Sequence, residues 1–465
     1  MALLTSEVRD LRFDRELVKK YDRPGPRYTS YPTAPQFHGG FGSGEYSQLL
    51  LESREAALPL SLYVHIPFCE TRCFFCGCNV IVSRSRERAR AYLPWLDREM
   101  ALAAELLDAP AREVVQIHWG GGTPTFLPPA EILGVMASIR RSFGVADDCE
   151  IGVEVDPRRL TEEHLDALAA AGVNRLSMGV QDIDPAVQKA VHRVQPVAET
   201  WQVLEGARRR GMESVNVDLI YGLPHQTPAS FAATVDEVIR MSPDRIAVFN
   251  FAYLPEMFPH QGVIEADALP GPEDKLTILE DTISRLTSVG YVFIGMDHFA
   301  KPDDPLARAL ADGTLTRNFQ GYSTCGRTDL VAFGVSSISH VAGGFAQNVK
   351  GLEEYEETLA SGQLPVFRGL FSTPEDRLRR DVILQIMGRF ELDKDEIEAA
   401  HDIDFDRHFA DELARLEPLA ADGLVEIGER RVTVTGLGRL LVRNVAMVFD
   451  EYLGHTSTAR YSRTV

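Results

Sequence analysis

Short runs of apolar and β-branched residues alternate with longer segments of helical periodicity between residues 60 and 289. Six strand–helix units of this kind predict a parallel sheet with right-handed crossovers, which fits either a partial barrel or a doubly wound sheet. The predicted strands are 60–66, 114–119, 150–155, 174–180, 214–220 and 245–251. The predicted helices lie near 87–107, 129–142, 161–171, 197–210, 228–240 and 272–289.

The pattern changes at both ends of the chain. Several prolines between residues 24 and 32 predict irregular structure at the amino terminus. Beyond about residue 370, helices near 375–389, 393–401 and 405–421 precede a hairpin-like alternation and a last helix near 436–453, an order typical of a winged helix. We therefore predict an arm or lid at 1–55, the strand–helix body at 56–300, an extension and linker at 301–370, and a mostly helical, winged-helix-like domain at 371–465.

The composition is that of a globular protein with an acidic surface. Hydrophobic residues make up 45% and charged residues 25% of the chain, and the net charge is −20 at pH 7. Such a charge repels nucleic acid and anionic membranes, so neither is an expected partner, and a structural or lid role is expected for the carboxy-terminal domain. The chain has neither a signal-peptide pattern nor a run of the ~20 apolar residues that cross a bilayer, which predicts a cytoplasmic protein.

Four of the six cysteines lie between positions 69 and 78. Such clustering in a reduced compartment indicates metal or redox chemistry. Cys69, Cys73 and Cys76 have the spacing C-x3-C-x2-C. A [4Fe-4S] cube usually takes four thiolates, so three thiolates leave one iron open for another ligand. A cysteine loop of this kind resembles that of the radical S-adenosylmethionine (SAM) enzymes. A structural zinc site is the alternative, but the second cysteine pair that zinc knuckles use is missing.

Segments along most of the chain resemble the oxygen-independent coproporphyrinogen III oxidases. The resemblance includes the cysteine loop YVHIPFCETRCFFCGCN and the arm segment GPRYTSYPT. Haem chaperones of the same superfamily are the alternative, but they typically lack that arm and a cysteine at the position of Cys78. The other similar segments are HWGGGTPTFL at 118–127, EVDPR at 154–158, NRLSMGVQD at 174–182, DLIYGLP at 218–224, GMDHFA at 295–300 and NFQGY at 318–322.

The resemblance implies a fold, an activity and cofactors. The fold is an α/β, partial (β/α)6 radical SAM barrel. The activity is an oxidoreductase step of porphyrin and haem biosynthesis, in which the ring A and B propionates of coproporphyrinogen III are oxidatively decarboxylated to vinyl groups by a 5′-deoxyadenosyl radical, giving protoporphyrinogen IX. The cofactors are a [4Fe-4S] cluster and two molecules of SAM per substrate. An electron donor, such as a flavodoxin-like protein, is the implied partner, and the chain is expected to be a monomer.

The resemblance also implies roles for individual residues. Cys69, Cys73 and Cys76 would bind the cluster, and Cys78, Tyr63 and His65 would be catalytic residues. Considered without the resemblance, a histidine in a strand is more often a satisfied core residue, and Ala252 and Ile338 would also be core residues. The implied SAM contacts are Tyr63, Phe75, Gly120, Gly121, Gly122, Thr123, Glu154, Gln181, Arg193, Asp218, Ala252 and Ile338.

A substrate with four propionates needs cations in an otherwise acidic protein. Arg27 in the arm is one candidate. A second candidate is the run of four arginines between residues 84 and 90, although such a run is more often a solvated helix start. Tyr28 and Tyr31 would cap the macrocycle as part of a lid.

Overall fold

The computed structural model describes residues 11–453 and 461–464. Within these residues, no helix combines the length and the apolar character that crossing a membrane requires. The chain forms two compact units, and each is made of segments that are distant in the sequence. The unit that we call the sheet unit consists of Phe37–Ile278 and Arg327–Phe371. The other, the second unit, consists of Met1–Gln36, Leu279–Gly326 and Ser372–Val465.

The strands and helices are numbered here in chain order. The strands are β1 (Leu60–Ile66), β2 (Phe68–Cys69), β3 (Ile81–Val82), β4 (Glu113–Gly121), β5 (Gly144–Val155), β6 (Arg175–Gln181), β7 (Ser214–Tyr221), β8 (Arg245–Asn250), β9 (Val292–Gly295), β10 (His298–Ala300), β11 (Thr316–Asn318), β12 (Gly321–Ser323), β13 (Asp329–Phe333), β14 (Ile338–Val341), β15 (Gly344–Asn348), β16 (Val366–Phe371), β17 (Glu391–Asp393), β18 (Val425–Ile427) and β19 (Arg431–Val434). The helices are α1 (Arg15–Tyr21), α2 (Ser43–Ala56), α3 (Arg86–Leu107), α4 (Pro129–Ser142), α5 (Glu162–Ala170), α6 (Pro185–Ala190), α7 (Val197–Arg209), α8 (Pro228–Met241), α9 (Pro272–Ser288), α10 (Pro305–Ala311), α11 (Leu352–Ala360), α12 (Pro374–Arg389), α13 (Lys394–His401), α14 (Phe405–His408), α15 (Ala410–Ala421) and α16 (Val442–Ala446).

The parallel strands of the sheet unit are neighbours in the order in which they occur in the chain. β1 pairs with β4, and β5, β6, β7 and β8 follow, each parallel to the strand before it. Because right-handed crossovers between successive neighbours place every helix on the same face, the sheet is wound in one direction, as in a barrel. A doubly wound sheet would reverse its strand order at a switch point. The prediction of a partial (β/α)6 barrel is therefore confirmed.

The sheet continues beyond β1 on its other side. β13 pairs in parallel with β1, and β14, β15 and β16 follow as antiparallel strands. Arg112 fastens the start of this extension, because its guanidinium donates to the Asp329 carboxylate at 3.1 Å and to the Leu58 carbonyl oxygen. The Ser53 hydroxyl donates to the same carboxylate at 2.5 Å. The predicted segment 301–370 is thus divided, since its residues from 327 onward belong to the sheet unit.

The prediction of irregular structure at the amino terminus is wrong for two segments, which form the helices α1 and α2. In α2 the buried residues Tyr46, Leu49, Leu50 and Ser53 follow the i, i+3, i+4, i+7 spacing of a helix that packs one face. The Glu45 carboxylate also accepts the Gly42 N–H at 2.9 Å, which caps the helix start. The preceding proline-rich stretch hid this periodicity in the sequence.

The carboxy-terminal part of the second unit has helices around a small antiparallel sheet in the order β17, β19, β18. The helices α12 and α13 and the hairpin β18–β19 agree with the winged-helix-like prediction. The predicted helix 405–421 is broken into α14 and α15 at Phe409, which is fully buried. The predicted helix 436–453 contains only the short α16 between 3-10 turns. All residues from 438 to 449 are buried. The segment therefore lacks the alternation of apolar and polar faces from which a helix and its bounds are predicted.

Tyr28 and Tyr31 are core residues of the second unit and are each 1% exposed. The Tyr28 hydroxyl donates to the Asp450 carboxylate at 2.9 Å. The Tyr31 oxygen accepts the Glu451 N–H at 3.0 Å. The prediction that these rings cap a substrate from an exposed lid does not fit this placement.

Candidate functional site

A cavity of about 350 Å³ opens at the carboxyl ends of the parallel strands in the sheet unit. This is the edge of an α/β barrel where binding sites form. Most of the residues predicted from the sequence lie in its wall. They are Cys69, Cys73, Phe75, Cys76, Cys78, Gly121, Gly122, Thr123, Glu154, Gln181, Arg193 and Asp218.

Five predicted residues are not among the lining residues of this cavity: Tyr63, His65, Gly120, Ala252 and Ile338. Gly120 lies one residue before the lining part of β4. Ala252 is exposed just after β8, and Ile338 is half-buried at the start of β14. The expectation from the residue pattern that Ala252 and Ile338 are core residues is therefore wrong.

His65 is a buried residue of β1 whose two ring nitrogens both have partners. Nδ1 accepts from the Tyr63 hydroxyl at 3.2 Å when Nε2, 3.2 Å from the Asn79 carbonyl oxygen, carries the proton. Burial lowers the pKa of His65, which favours this neutral form. The Tyr63 ring in turn stacks on His118, with ring centroids 6.0 Å apart. The His65 ring packs against Gly121 at the end of β4, and Gly121 lines the cavity, so this network supports the cavity wall.

The cysteine loop after β2 is held by hydrogen bonds from other segments to its backbone. The Phe74 N–H donates to the Val191 carbonyl oxygen at 3.0 Å. The Cys76 carbonyl oxygen lies 2.6 Å from His260 Nε2, and the Gln261 amide donates to the Phe75 carbonyl oxygen. The thiols can therefore project into the cavity from a fixed backbone, and all of them are free.

The three predicted ligand sulfurs have different surroundings. Burial raises the pKa of Cys69 to about 11, although the Thr123 hydroxyl lies 3.4 Å from its sulfur. Hydrogen bonding from Cys78 lowers the pKa of Cys76 to about 6. The Cys73 sulfur accepts from the guanidinium groups of Arg193 at 3.6 Å and Arg158 at 3.8 Å. The surroundings therefore favour the thiolate at Cys76 and oppose it at Cys69, and Cys73 is the sulfur that accepts from two guanidinium groups.

The glycines at the end of β4 are required by close packing. Gly121 has a φ of +111°, and a Cβ there would lie 2.7 Å from the His65 ring. A Cβ on Gly122 would lie 2.8 Å from the Phe68 carbonyl oxygen. These glycines let β4 pass directly against the cysteine loop, so that the strand end and the thiols form one wall.

The opposite wall carries carboxylates and amides. Burial raises the pKa of Asp218 to about 6, against hydrogen bonds from Asn216 at 2.7 Å and Ser177 at 3.3 Å. Glu154 Oε1 lies 3.2 Å from His118 Nε2. These side chains come from adjacent parallel strands, and they give the cavity acceptors for hydroxyl or ammonium groups.

The residues present fit an iron–sulfur cluster with a polar organic ligand beside it. Four thiols line one cavity, among them the three with the predicted ligand spacing. No group of three or more His, Cys, Asp or Glu side chains in the described part of the chain is placed to share a single metal ion. A [4Fe-4S] cluster binds each thiolate through a different iron, so it has no such requirement. Gln181 Oε1 and Arg193 Nε are buried without a hydrogen-bond partner among the described residues, which leaves them available to a ligand.

Comparison with known proteins agrees with this geometry. Residues 63–238 match the radical SAM superfamily, and residues 372–441 match the HemN C-terminal domain. The oxygen-independent coproporphyrinogen III oxidase of Pseudomonas aeruginosa is 48% identical over 98% of this chain and 99% of its own length. The chain belongs to the oxygen-independent coproporphyrinogen III oxidase family. The Escherichia coli member is also 48% identical, over 96% of this chain and 97% of its own length.

A solved structure extends the comparison to the fold. The coproporphyrinogen III oxidase (HemN) of Escherichia coli, described as a radical SAM enzyme, superposes with a TM-score of 0.91 and covers 95% of this chain and 100% of its own. This confirms the predicted radical SAM fold and enzyme class. The family's cofactors are the [4Fe-4S] cluster and SAM, as the cysteine spacing predicted.

The arginines predicted to bind substrate lie in different places. Arg86 lines the cavity, pairs with Glu70 at 2.6 Å and lies over the Phe126 ring at 3.7 Å. The other three of the run, Arg84, Arg88 and Arg90, are exposed, as expected for a solvated helix start. Arg27 pairs with Asp297 within the second unit.

Sequence reasoning missed Arg158, which reaches both the cavity and the Cys73 sulfur. It lies two residues after Asp156, just beyond the carboxyl end of β5. Its position near an acidic residue, at the edge of the sheet where binding sites form, is the sequence feature that could have indicated a role for Arg158 in the site. The sequence gives no indication that the side chain reaches a cysteine 85 residues away.

Proposed function

We propose that this chain converts coproporphyrinogen III to protoporphyrinogen IX without oxygen, by oxidative decarboxylation of the ring A and B propionates to vinyl groups. The observation that carries the proposal is the 48% identity to the Pseudomonas aeruginosa enzyme over 98% of this chain. That identity extends over both units and is therefore not confined to the cofactor-binding region. The cavity, with the three predicted ligand thiols, Cys78 and a glycine-rich wall, supports it independently.

The residues of the chain hold and orient the cofactors in this proposal. When bound, the cluster and SAM supply the 5′-deoxyadenosyl radical. Cys69, Cys73 and Cys76 are the cluster ligands. Arg193 suits the SAM carboxylate because its buried Nε has no hydrogen-bond partner among the described residues and can donate to an anion. The remaining proposed SAM contacts are Tyr63, Phe75, Gly120, Gly121, Gly122, Thr123, Glu154, Gln181, Asp218, Ala252 and Ile338.

Cys78 is proposed to act in hydrogen or electron transfer. It is an exposed thiol in the wall of the cavity, and its N–H donates to the Cys76 sulfur at 3.4 Å. Its side chain thus lies beside the ligand set and is not needed within it. Tyr63 and His65 are proposed to assist by fixing the end of β4 next to the cofactors.

We also propose that the chain acts as a monomer in the cytoplasm and receives single electrons from a separate low-potential carrier, such as a flavodoxin-like protein. Light scattering of the reconstituted protein measures the oligomeric state. A scattering mass near twice the chain's 51.6 kDa would contradict the monomer.

The proposed function is tested by anaerobic reconstitution with iron and sulfide, followed by incubation with SAM, a reductant and coproporphyrinogen III. We expect 5′-deoxyadenosine, CO2 and protoporphyrinogen IX. Cys76→Ser should lose the cluster, and Cys78→Ser should keep it and lose turnover. Cys325→Ser is the matched control, because this cysteine lies outside the cavity wall.

Two outcomes contradict the proposal. Stoichiometric haem binding with no vinyl product would indicate a haem chaperone. Formation of 5′-deoxyadenosine without decarboxylation would support the proposed cofactors and exclude coproporphyrinogen III as the substrate. Full turnover of Cys78→Ser would remove only the role of that residue.

A further inference from the structure

Two guanidinium groups contact the sulfur of Cys73, and among residues 11–453 and 461–464 none donates a hydrogen bond to the sulfur of Cys69 or Cys76. Arg193 Nη1 lies 3.6 Å and Arg158 Nη2 lies 3.8 Å from Cys73 Sγ. By contrast, the Cys69 sulfur lies next to the Thr123 hydroxyl, and the Cys76 sulfur has the backbone N–H and the thiol of Cys78 as hydrogen-bond partners. Cys73 is therefore the ligand whose sulfur is in direct hydrogen-bond contact with charged groups, whereas Arg72 and Arg193 act on Cys76 only through their charge.

A single carboxylate holds both arginines. The Arg158 guanidinium donates to Asp156 through Nε at 2.9 Å and through Nη2 at 2.5 Å. Arg193 Nη1 donates to the same carboxylate at 3.2 Å. Asp156 is 8% exposed, and the two arginines lower its pKa although burial opposes this, so it stays ionised. Two cations against one anion leave an excess of one positive charge beside the Cys73 sulfur.

Arg158 differs from the next residue, Arg159, although both line the cavity. The Arg158 side chain is 16% exposed and is fixed by Asp156. The Arg159 side chain is 59% exposed and pairs with Glu70 at 3.1 Å. Charge near a sulfur has its greatest effect where water does not screen it. The two neighbours therefore carry the same charge, but Arg158 is largely buried against the Cys73 sulfur and Arg159 is exposed to water.

We propose that Arg158 is a positioning residue that raises the reduction potential of the cluster through its N–H···S contact with Cys73. When the cluster gains one electron from an external donor, negative charge on its sulfurs increases, and no bond at Arg158 forms or breaks. A charged donor stabilises the reduced cluster more than the oxidised one, which makes reduction easier. The inference rests on the cluster part of the proposed function and not on the substrate.

The test compares the reconstituted enzyme with Arg158→Gln, Arg158→Lys and Arg159→Gln. Anaerobic potentiometry with redox dyes, followed by EPR of the reduced cluster, gives the midpoint potential without SAM or substrate. For Arg158→Gln we expect the ratio of reduced to oxidised cluster at a fixed potential to fall about threefold to tenfold, and tenfold corresponds to about 59 mV for one electron. Arg158→Lys should shift less, because it keeps the charge but not the planar fork.

Arg159→Gln is the matched control for loss of one charge, and its shift should be the smallest. Wild-type potentials in both Arg158 variants would overturn the proposal, as would equal shifts in Arg158→Gln and Arg159→Gln. Iron and sulfide analysis shows whether Arg158→Gln assembles a cluster. If it does not, the midpoint potential of Arg158→Lys is the deciding measurement. A potential in Arg158→Lys equal to that of the unchanged enzyme then overturns the inference. Because no turnover is measured, failure of the proposed decarboxylation would not be mistaken for failure here.

Discussion

Glu99 is a buried carboxyl group on α3, away from the cavity, and is 2% exposed. It accepts hydrogen bonds from the Gly334 N–H at 2.8 Å, the Asn348 amide at 2.6 Å and the Tyr355 hydroxyl at 2.5 Å. Burial nevertheless raises its pKa from 4.5 to about 7. One side chain thus links α3 to the turn after β13 and makes that link sensitive to pH.

The stability of the protein should depend on pH through this residue. Between about pH 4.5 and 7 the folded state binds a proton that the unfolded state has released, so the free energy of unfolding falls as the pH rises through this range. In Glu99→Gln this part of the pH dependence should disappear. Urea unfolding from pH 5 to 8 measures it, with the exposed Glu163→Gln as control. Identical pH slopes for Glu99→Gln and the unchanged protein would contradict the assignment.

The glycine at position 121 provides a second test at the residue scale. Gly121→Ala should lower the free energy of unfolding by about 1–3 kcal/mol, because the new Cβ meets the His65 ring in a backbone conformation that favours glycine. Gly134→Ala in α4 is the matched control, since its Cβ meets nothing within 4 Å. That change should stabilise the protein by about 0.5–1 kcal/mol. Denaturant unfolding that gives both variants the same sign would contradict this account.

At the scale of elements, sequence periodicity predicted most of the sheet unit. The predicted strand 60–66 and helix 129–142 have the bounds of β1 and α4, because β1 is a short, mostly apolar run that ends before a proline and the buried residues of α4 recur at helical spacing. β14 and β15 were missed because runs of four and five residues are too short to show a period. The Cys73–Arg158 contact was also beyond prediction, since it depends on how separate loops pack in three dimensions.

The start of α12 allows a test of an element boundary. Thr373 Oγ1 accepts the Asp376 N–H at 3.0 Å, and the Asp376 carboxylate accepts the Thr373 N–H at 2.9 Å. Thr373→Ala removes one half of this capping box and should lower the free energy of unfolding by about 1 kcal/mol. Thr358→Ala in α11, where the hydroxyl is exposed, should change it by less than about 0.5 kcal/mol. Equal effects in denaturant unfolding would exclude the capping role.

At the scale of the whole molecule, each unit depends on contacts between distant parts of the chain. Asp329 and Arg112 are 217 residues apart, and their side chains are 6% and 5% exposed. Their pair fixes β13 beside β1 and thereby adds the extension to the barrel. Sequence periodicity could not predict this pair, because the hydrophobic pattern around each residue carries no information about which distant residue it contacts.

Removing one member of this pair should be costly. Asp329→Asn leaves the Arg112 charge buried without its counter-ion and should lower the free energy of unfolding by about 3–5 kcal/mol. The matched control is Asp97→Asn, which breaks an exposed pair with Arg141 and should cost less than about 1 kcal/mol. Thermal and urea unfolding of both variants measure the difference. A control that loses as much stability as Asp329→Asn would contradict the argument.

The division of the second unit among three chain segments has a consequence for biosynthesis. Tyr28 leaves the ribosome early, but its hydrogen-bond partner Asp450 is made 422 residues later. At about 5–20 residues per second, the wait is on the order of 20 to 80 s. During translation the tyrosines of the arm are without the core that buries them, whereas most of the sheet unit is already complete. Nascent chains should therefore acquire protease resistance in the sheet unit first, and chaperones should find their binding sites at the amino terminus.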